Sequence, residues 1–321
     1  MAELTSPAVT VPAASLPIVR VFCACHSDII AAVRSDCAFC GRLLRTGFAD
    51  RAADRTVDAP ARRRRVQVME PPEVRLENSD TVYDFYRDHR QNRLQAWGAY
   101  AILGRRYHPR VTYAEGARAA LRTAIRQNRP LLIAINHLSE SDPYTVAAAA
   151  WRSGLRRVIG RVRVLAKDEL FADPDQRRKI DMMGGIPVFR GKDHGIRAVN
   201  AAGQRMMDVC AERMARGDGI AVFPEGTCND VDPARVQAVG SGIGHIAFRA
   251  MKLGAEPVLV SMALSYGPRD DPSVQPTKEE AKGASFHFGV PVLDLPPRPG
   301  DIAKLVRVDL QKALDSAVEA Y

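Results

Sequence analysis

A histidine and an aspartate with four residues between them, His137 and Asp142, stand directly after the apolar run Leu131 to Ile135. Where a strand end turns into a helix, such a pair can meet. The carboxylate then holds one ring nitrogen as a donor and leaves the other free to accept a proton. That is the wiring of a general base acting on an alcohol, worth about 10²- to 10⁴-fold in rate. In isolation the same spacing also fits an ordinary surface loop. A second set, Phe223-Pro224-Glu225-Gly226-Thr227, closes the apolar run Ile220 to Phe223 and brings a carboxylate, a glycine backbone and a hydroxyl to another strand end. By itself a Pro-Glu-Gly is a turn. The third set is Gly184-Gly185-Ile186-Pro187-Val188-Phe189-Arg190-Gly191-Lys192. Two glycines, a short extended run and paired cations suit a phosphate-binding corner, with Arg190 as a bidentate fork and Lys192 as a point charge. An exposed basic turn is the alternative.

The elements that must position these loops are an alternation of strands and helices. Short apolar runs at Leu131–Ile135, Val162–Ala166, Ile220–Phe223 and Pro257–Leu264 read as buried strands. Helical spacing appears from Tyr113 to Gln127 and through Ile196, Val199, Met206, Cys210 and Met214, ended by Gly217 and Gly219. A last helix runs from about Asp301 to Ala320. Earlier, Ser79 or Asp80 caps a helix along which Val82, Phe85, Tyr86, His89, Arg93, Trp97 and Tyr100 recur, mostly as core packing. Such alternation implies an α/β fold, with a sheet flanked by helices on both faces. Open α/β sheets bind ligands outside the carboxyl ends of their strands, so two polar motifs at two such ends point to one crevice. Gly240-Ser241-Gly242-Ile243-Gly244 lacks the glycine spacing of a nucleotide loop and reads as the flexible entry to a helix.

The ordered set of a His-x-x-x-x-Asp loop, a Gly-x-Ile-Pro-x-x-Arg segment, a Phe-Pro-Glu-Gly-Thr loop and Glu256-Pro257-Val258-Leu259-Val260 resembles the glycerol-phosphate and lysophosphatidic acid acyltransferase superfamily. The resemblance covers roughly residues 130–264. It implies that family's mixed central sheet, and transfer of a fatty acyl group from acyl-CoA or acyl-carrier protein to the hydroxyl of a lysolipid or glycerol-phosphate acceptor in phospholipid synthesis. It further implies that His137 is the general base and Asp142 orients it, that the hydroxyl attacks the donor thioester directly, and that no cofactor is required. Arg190, Lys192, Glu225, Gly226 and Thr227 become acceptor- or phosphate-site positions, while Ser139 and Ser141 cap backbone rather than act as nucleophiles. Two positions depart from the family pattern: Cys228 stands where an arginine is common, and Ser241 where a lysine precedes the next glycine. Arg235, Lys192 or Arg197 are the cations available to compensate, or the acceptor is not a simple glycerol phosphate.

The remainder of the chain divides by composition into an Ala/Pro-rich arm (1–20), a Cys-rich segment (21–44), a basic, Pro-containing linker (45–78) and the acyltransferase-like domain (79–321). Cys23, Cys25, His26, Cys37 and Cys40 have the spacing of a small tetrahedral zinc site, with free thiols as the alternative. Residues Arg62 to Arg65 form a basic run, and the whole chain carries a net charge of +9, which suits anionic lipid, nucleic acid or phosphate-bearing substrates without choosing among them. Aromatic residues make up only 6%, which argues against a base-stacking nucleic-acid surface, so no nucleic-acid partner is expected. A zinc-knuckle nucleic-acid binder and a lipid-binding homologue without turnover are the competing readings. No run of about 18 apolar residues marks a spanning helix, and no export signal is evident. The expectation is therefore a cytoplasmic protein lying peripherally on the inner face of a membrane, through a surface near Trp97, Tyr100, Arg105 and Arg106.

Overall fold

The computed structural model describes residues 70–268, 271, 274 and 276–321. The cysteine cluster and the arginine run lie outside the described residues. The helices are α1 (Ser79–Asp88), α2 (Arg93–Tyr107), α3 (Ala117–Arg126), α4 (Asp142–Arg152), α5 (Pro174–Met183), α6 (Ile196–Ala215), α7 (Gly242–Lys252) and α8 (Pro299–Glu319), besides shorter turns. The strands are β1 (Arg110–Tyr113), β2 (Leu131–Ala134), β3 (Val162–Lys167), β4 (Gly185–Val188), β5 (Gly219–Val222), β6 (Val258–Ser265) and β7 (Ser285–Phe288). They form one sheet in the order β1-β7-β6-β2-β5-β3-β4. The β6–β7 pair is antiparallel and every other pair parallel, which makes the sheet mixed.

Alternation along the central strands divides the core into two layers. Leu131, Ile133 and Ile135 pack with Val258, Val260, Met262 and Leu264 beneath α2 and α4, whereas Leu132, Ala134, Ile220 and Leu259 face α1, α6, α7 and α8. A strand buried on both faces has no polar side to show, which is why these runs read as continuous hydrophobics. At Gly244 an added Cβ would stand 2.0 Å from the Pro299 carbonyl oxygen. That glycine lets the start of α7 meet the start of α8, in a segment whose sequence suggested only a flexible entry.

Several expectations are corrected. The single stripe from Val82 to Tyr100 is two helices, because His89 leaves helical geometry and the Asn92 side chain caps α2 by accepting from the Gln95 amide at 3.2 Å. Tyr100 is not part of an exposed surface: it sits in the layer between α2 and α4, and burial pushes its hydroxyl up to about 12. Tyr113 ends a strand rather than beginning a helix. Gly217, in the left-handed region at φ +89°, closes the turn after α6, while Gly219 already belongs to β5. His89 packs against the rings of Phe85 and Tyr86, and burial, reinforced by Arg163 and Arg213, pulls it down to about 4. Val74 and Leu76, upstream of α1, pack on the core.

Candidate active site

The parallel strands β2, β5, β3 and β4 end at the same edge of the sheet, and the ends of β2, β5 and β4 each deliver one of the loops singled out by sequence. After β2 the chain continues through Ile135 and the buried Asn136. Its side-chain amide donates to the Leu264 carbonyl at 2.9 Å and accepts from the Leu264 amide at 2.7 Å, tying the loop to β6. His137 follows, and its Nδ1 lies 2.8 Å from Asp142 Oδ2.

Asp142 is fully buried at the start of α4 and serves as the hub of the loop. Its Oδ2 also accepts from the amides of Leu138 and Ser139 at 2.6 and 3.0 Å, and its Oδ1 accepts from the Tyr266 hydroxyl at 2.8 Å. An ionised carboxylate is acceptor-only, and every one of these partners is a donor. Tyr266 stands just beyond β6 and also contacts Thr145 Oγ1 at 3.1 Å. Ser139 Oγ accepts from the Ser141 amide at 3.0 Å, as a backbone-capping residue should, whereas Ser141 makes no side-chain cap for α4.

After β5, Phe223 lays its ring against the His137 imidazole, with centroids 4.2 Å apart and planes 18° apart. Gly226 turns the chain at φ +72°, a conformation that favours glycine. Glu225 uses both carboxylate oxygens on backbone: Oε1 accepts from the His137 amide and Oε2 from the Gln237 amide, each at 2.9 Å. Burial raises its carboxyl, against the pull of those two amide bonds. Glu225, expected at the acceptor site, thereby clasps the two loops together. Gly226 and Thr227 are exposed, and Thr227 Oγ1 donates to the neighbouring Cys228 carbonyl.

Cys228 comes next, and its Sγ lies 3.5 Å from His137 Nε2. One residue on, the Asn229 amide donates to the His137 carbonyl at 2.6 Å. The imidazole is thus bounded by a carboxylate on Nδ1, a thiol on Nε2 and an aromatic ring on one face. Burial opposes its positive charge, but the Asp142 hydrogen bond and then Cys228 outweigh burial and raise its pKa to about 9.

At the far end of the row, Arg190 follows β4. Its Nε is held by Asp193 at 2.7 Å, and its two terminal nitrogens have no partner among the described residues. Neighbouring strands lie about 4.8 Å apart, so the β4 end is about 14 Å from the β2 end along the edge. Lys192, Arg197 and Arg235 are all exposed. Between Arg190 and the dyad, just after β3, lies a pair that sequence reasoning missed: Asp168 Oδ2 with His194 Nε2 at 2.8 Å. Asn136, Tyr266 and Asp168 carried no motif, and only the fold places them.

At the opposite edge, where α4 ends and β3 has yet to begin, Arg93, Arg118, Arg122, Arg152, Arg156 and Arg157 line a groove of about 810 Å³. None of the six has a carboxylate partner among the described residues; Arg156 lies over the rings of Trp151 and Trp97 at 4.3 and 5.2 Å. Among the described residues no cluster of three or more His, Cys, Asp or Glu could hold a metal ion. Nor is any helix there long and apolar enough to cross a membrane.

Residues 117–265 match the family model described as Acyltransferase. No curated protein matches the chain. Solved structures with a likeness to it include the 1-acyl-sn-glycerophosphate (LPA) acyltransferase PlsC from Thermotoga maritima, at 18% identity and a TM-score of 0.40, over 71% of this chain and 78% of that one.

Proposed function

We infer that the chain, whose residues 117–265 match the Acyltransferase family model, is a member of the glycerol-phosphate and lysophosphatidic acid acyltransferase superfamily. From that premise we propose that it moves a fatty acyl group from acyl-CoA or acyl-carrier protein to the hydroxyl of a lysophosphatidic acid or related glycerol-phosphate acceptor. The observation that carries the reading is the buried Asp142 fixing Nδ1 of His137, with Nε2 left on the side of the Phe223–Cys228 loop. In that tautomer Nε2 takes the proton of the acceptor hydroxyl as its oxygen attacks the acyl carbon of a thioester. The buried carboxylate steadies the imidazolium that forms. The thiol leaving group recovers the proton from Nε2.

The terminal nitrogens of Arg190, with Lys192 nearby in sequence, supply the phosphate contact that Cys228 cannot supply in place of an arginine. Glu225 acts on the acceptor only indirectly, by fixing where His137 stands.

Both substrates partition into membranes, and α2 offers a surface to meet one. Leu94, Gly98 and Arg105 lie on its exposed side, flanked by Trp97 and Ile102, with Leu94 85% and Trp97 44% exposed. The helix begins at the arginine groove and ends at Tyr107, whose carbonyl accepts from Gly283 beside the start of β7, at the catalytic edge. Laid on an anionic bilayer, α2 puts the groove over headgroups and leaves the acyl chains within reach of His137.

The test is acyl transfer from long-chain acyl-CoA and acyl-carrier protein to a panel of lysophosphatidic acid, glycerol 3-phosphate and neutral lysolipids. Wild type is compared with His137→Ala. The expected result is turnover on a phosphate-bearing acceptor and a loss of about 10²- to 10⁴-fold in the variant, with unchanged circular dichroism. Wild-type-like turnover by the variant, or no acylation of any acceptor, overturns the reading. Sedimentation with phosphatidylglycerol vesicles at low salt tests the membrane contact separately; a protein left wholly in the supernatant refutes it.

A further inference from the structure

A second histidine–aspartate pair stands on the catalytic edge, outside the machinery assigned to acyl transfer: His194 Nε2 lies 2.8 Å from Asp168 Oδ2. We propose that His194, set in place by Asp168, reads the third oxygen of the acceptor's phosphate, so that the site takes an acceptor ending in a phosphate monoester and disfavours a phosphodiester. This rests on the acyl-transfer reading and deepens it by naming the residue that sets the acceptor class.

Asp168 begins the turn after β3 and is 7% exposed. Its Oδ1 is buried without a hydrogen-bond partner, whereas Asp142 is answered on both oxygens. A carboxylate buried with so little to answer it is costly, and an apolar side chain would serve the fold better. What its one side-chain bond achieves is to orient the His194 ring. Phe189 holds that ring from another side, edge-on, with centroids 5.7 Å apart and planes 73° apart. Nε2 is thereby committed to Asp168, while Nδ1 of the partly exposed ring has no partner among the described residues. His194 also closes the turn that Arg190 opens, its amide donating to the Arg190 carbonyl at 3.1 Å. A single turn therefore separates an imidazole from a guanidinium. Asp193, between them, holds Arg190 Nε at 2.7 Å and leaves the two terminal nitrogens open.

A count of oxygens decides what this corner can distinguish. The terminal fork of an arginine takes two oxygens of one phosphate. A phosphodiester has only two that are not esterified, so the fork satisfies it completely. A monoester has a third, which carries a proton that dissociates at about pH 6. Nδ1 of His194 meets that oxygen with one proton between them. Either a protonated ring donates to the dianion, or the hydroxyl of the monoanion donates to a neutral ring. A diester has no such oxygen and gains nothing from the imidazole. Asp168 touches no substrate; it is a positioning residue for the ring. The arginine absent at Cys228 is thus made good from the β4 side of the site rather than from the β5 side. Lys192 and Arg197 flank the same turn as exposed chains, whereas the His194 ring is fixed before an acceptor arrives.

The full-length protein is assayed with saturating palmitoyl-CoA and two acceptors of equal chain length, lysophosphatidic acid as the monoester and lysophosphatidylglycerol as the diester. Wild type should favour the monoester in kcat/KM. In His194→Gln the monoester-to-diester ratio should fall at least about tenfold, the loss lying in KM for the monoester. His194→Lys, which returns a cation to the position, should recover part of that ratio. Asp168→Asn should lower it in the same direction by loosening the ring. Binding is read without turnover by ring-directed NMR: glycerol 3-phosphate should shift the His194 nitrogens of wild type, and glycerophosphoglycerol, a diester, should not. A ring that ignores glycerol 3-phosphate, or a ratio that survives His194→Gln, overturns the proposal while acyl transfer by His137 stands. A ring that responds in a protein acylating no acceptor leaves the subsite standing and refutes the acyltransferase reading. Should His194→Gln fail to fold, the wild-type ring titration decides alone.

Discussion

The two edges of the sheet are built on opposite principles. At the catalytic edge, the polar atoms of Asp142 and Glu225 are matched to donors: five hydrogen-bonding groups meet within the His137–Asp142 loop and its neighbours before any substrate arrives. At the opposite edge, six arginines line one groove with no carboxylate among the described residues to answer them. A satisfied buried network holds a side chain in one place, since breaking any bond leaves a group stranded. Unanswered surface cations hold nothing in place, and their repulsion is relieved only when an anion arrives. One edge positions and the other attracts.

Asp142→Ala should break that contrast most severely. It strands the amides of Leu138 and Ser139 and the Tyr266 hydroxyl, each at a cost of about 1–3 kcal/mol, and releases the ring of His137. We expect the largest drop in melting temperature of these variants together with a rate loss of at least about 10²-fold, read by calorimetry and acyl transfer. Glu225→Gln should come next. One of its two amide donors then faces an NH₂ group rather than an oxygen, costing about 1–3 kcal/mol and lowering kcat through misplacement of His137. A reduced rate without any thermal shift would mean that Glu225 instead contacts substrate.

The imidazole itself gives a subtler measure. Its folded pKa, raised to about 9 from an ordinary 6.5, means that the stability gained from its partners is whole below pH 6.5 and is lost as pH rises through 9. Ring NMR should place its midpoint near 9 in wild type and lower in Cys228→Ala. An unmoved midpoint would remove the thiol from the pairing. Smallest of all is the expected effect of Arg122→Ala or Arg157→Ala on the fold, within about 0.5 kcal/mol. Each should nonetheless weaken binding to anionic vesicles by about 1 kcal/mol per charge removed. A clear loss of stability in either would show that the groove has a structural partner.

What the sequence disclosed follows how locally each signal is written. The His137–Asp142 dyad spans one loop, and the apolar strands announce themselves in runs of four or more residues, so both were legible. Asn136 and Tyr266 were not, because their partners lie 128 and 124 residues away and nothing local marks them. The hold of Glu225 on His137 was hidden for the same reason: it exists only because β2 and β5 are neighbours. The four-residue strands β1 and β7 are too short for alternation to register. The break between α1 and α2 did have a local sign, the capping Asn92, which a continuous periodic stripe concealed.

The adjacency of β2 and β5 has one more consequence. Everything from α4 to the end of α6, including β3, β4 and Arg190, is a detour whose two ends are stapled side by side. Its surface turns can be lengthened or trimmed while the β2–β5 pairing and the Asp142 hydrogen bond keep imidazole and sulfur together. On the proposed role of Arg190, acceptor choice becomes a module that can be re-engineered independently of the chemistry it feeds.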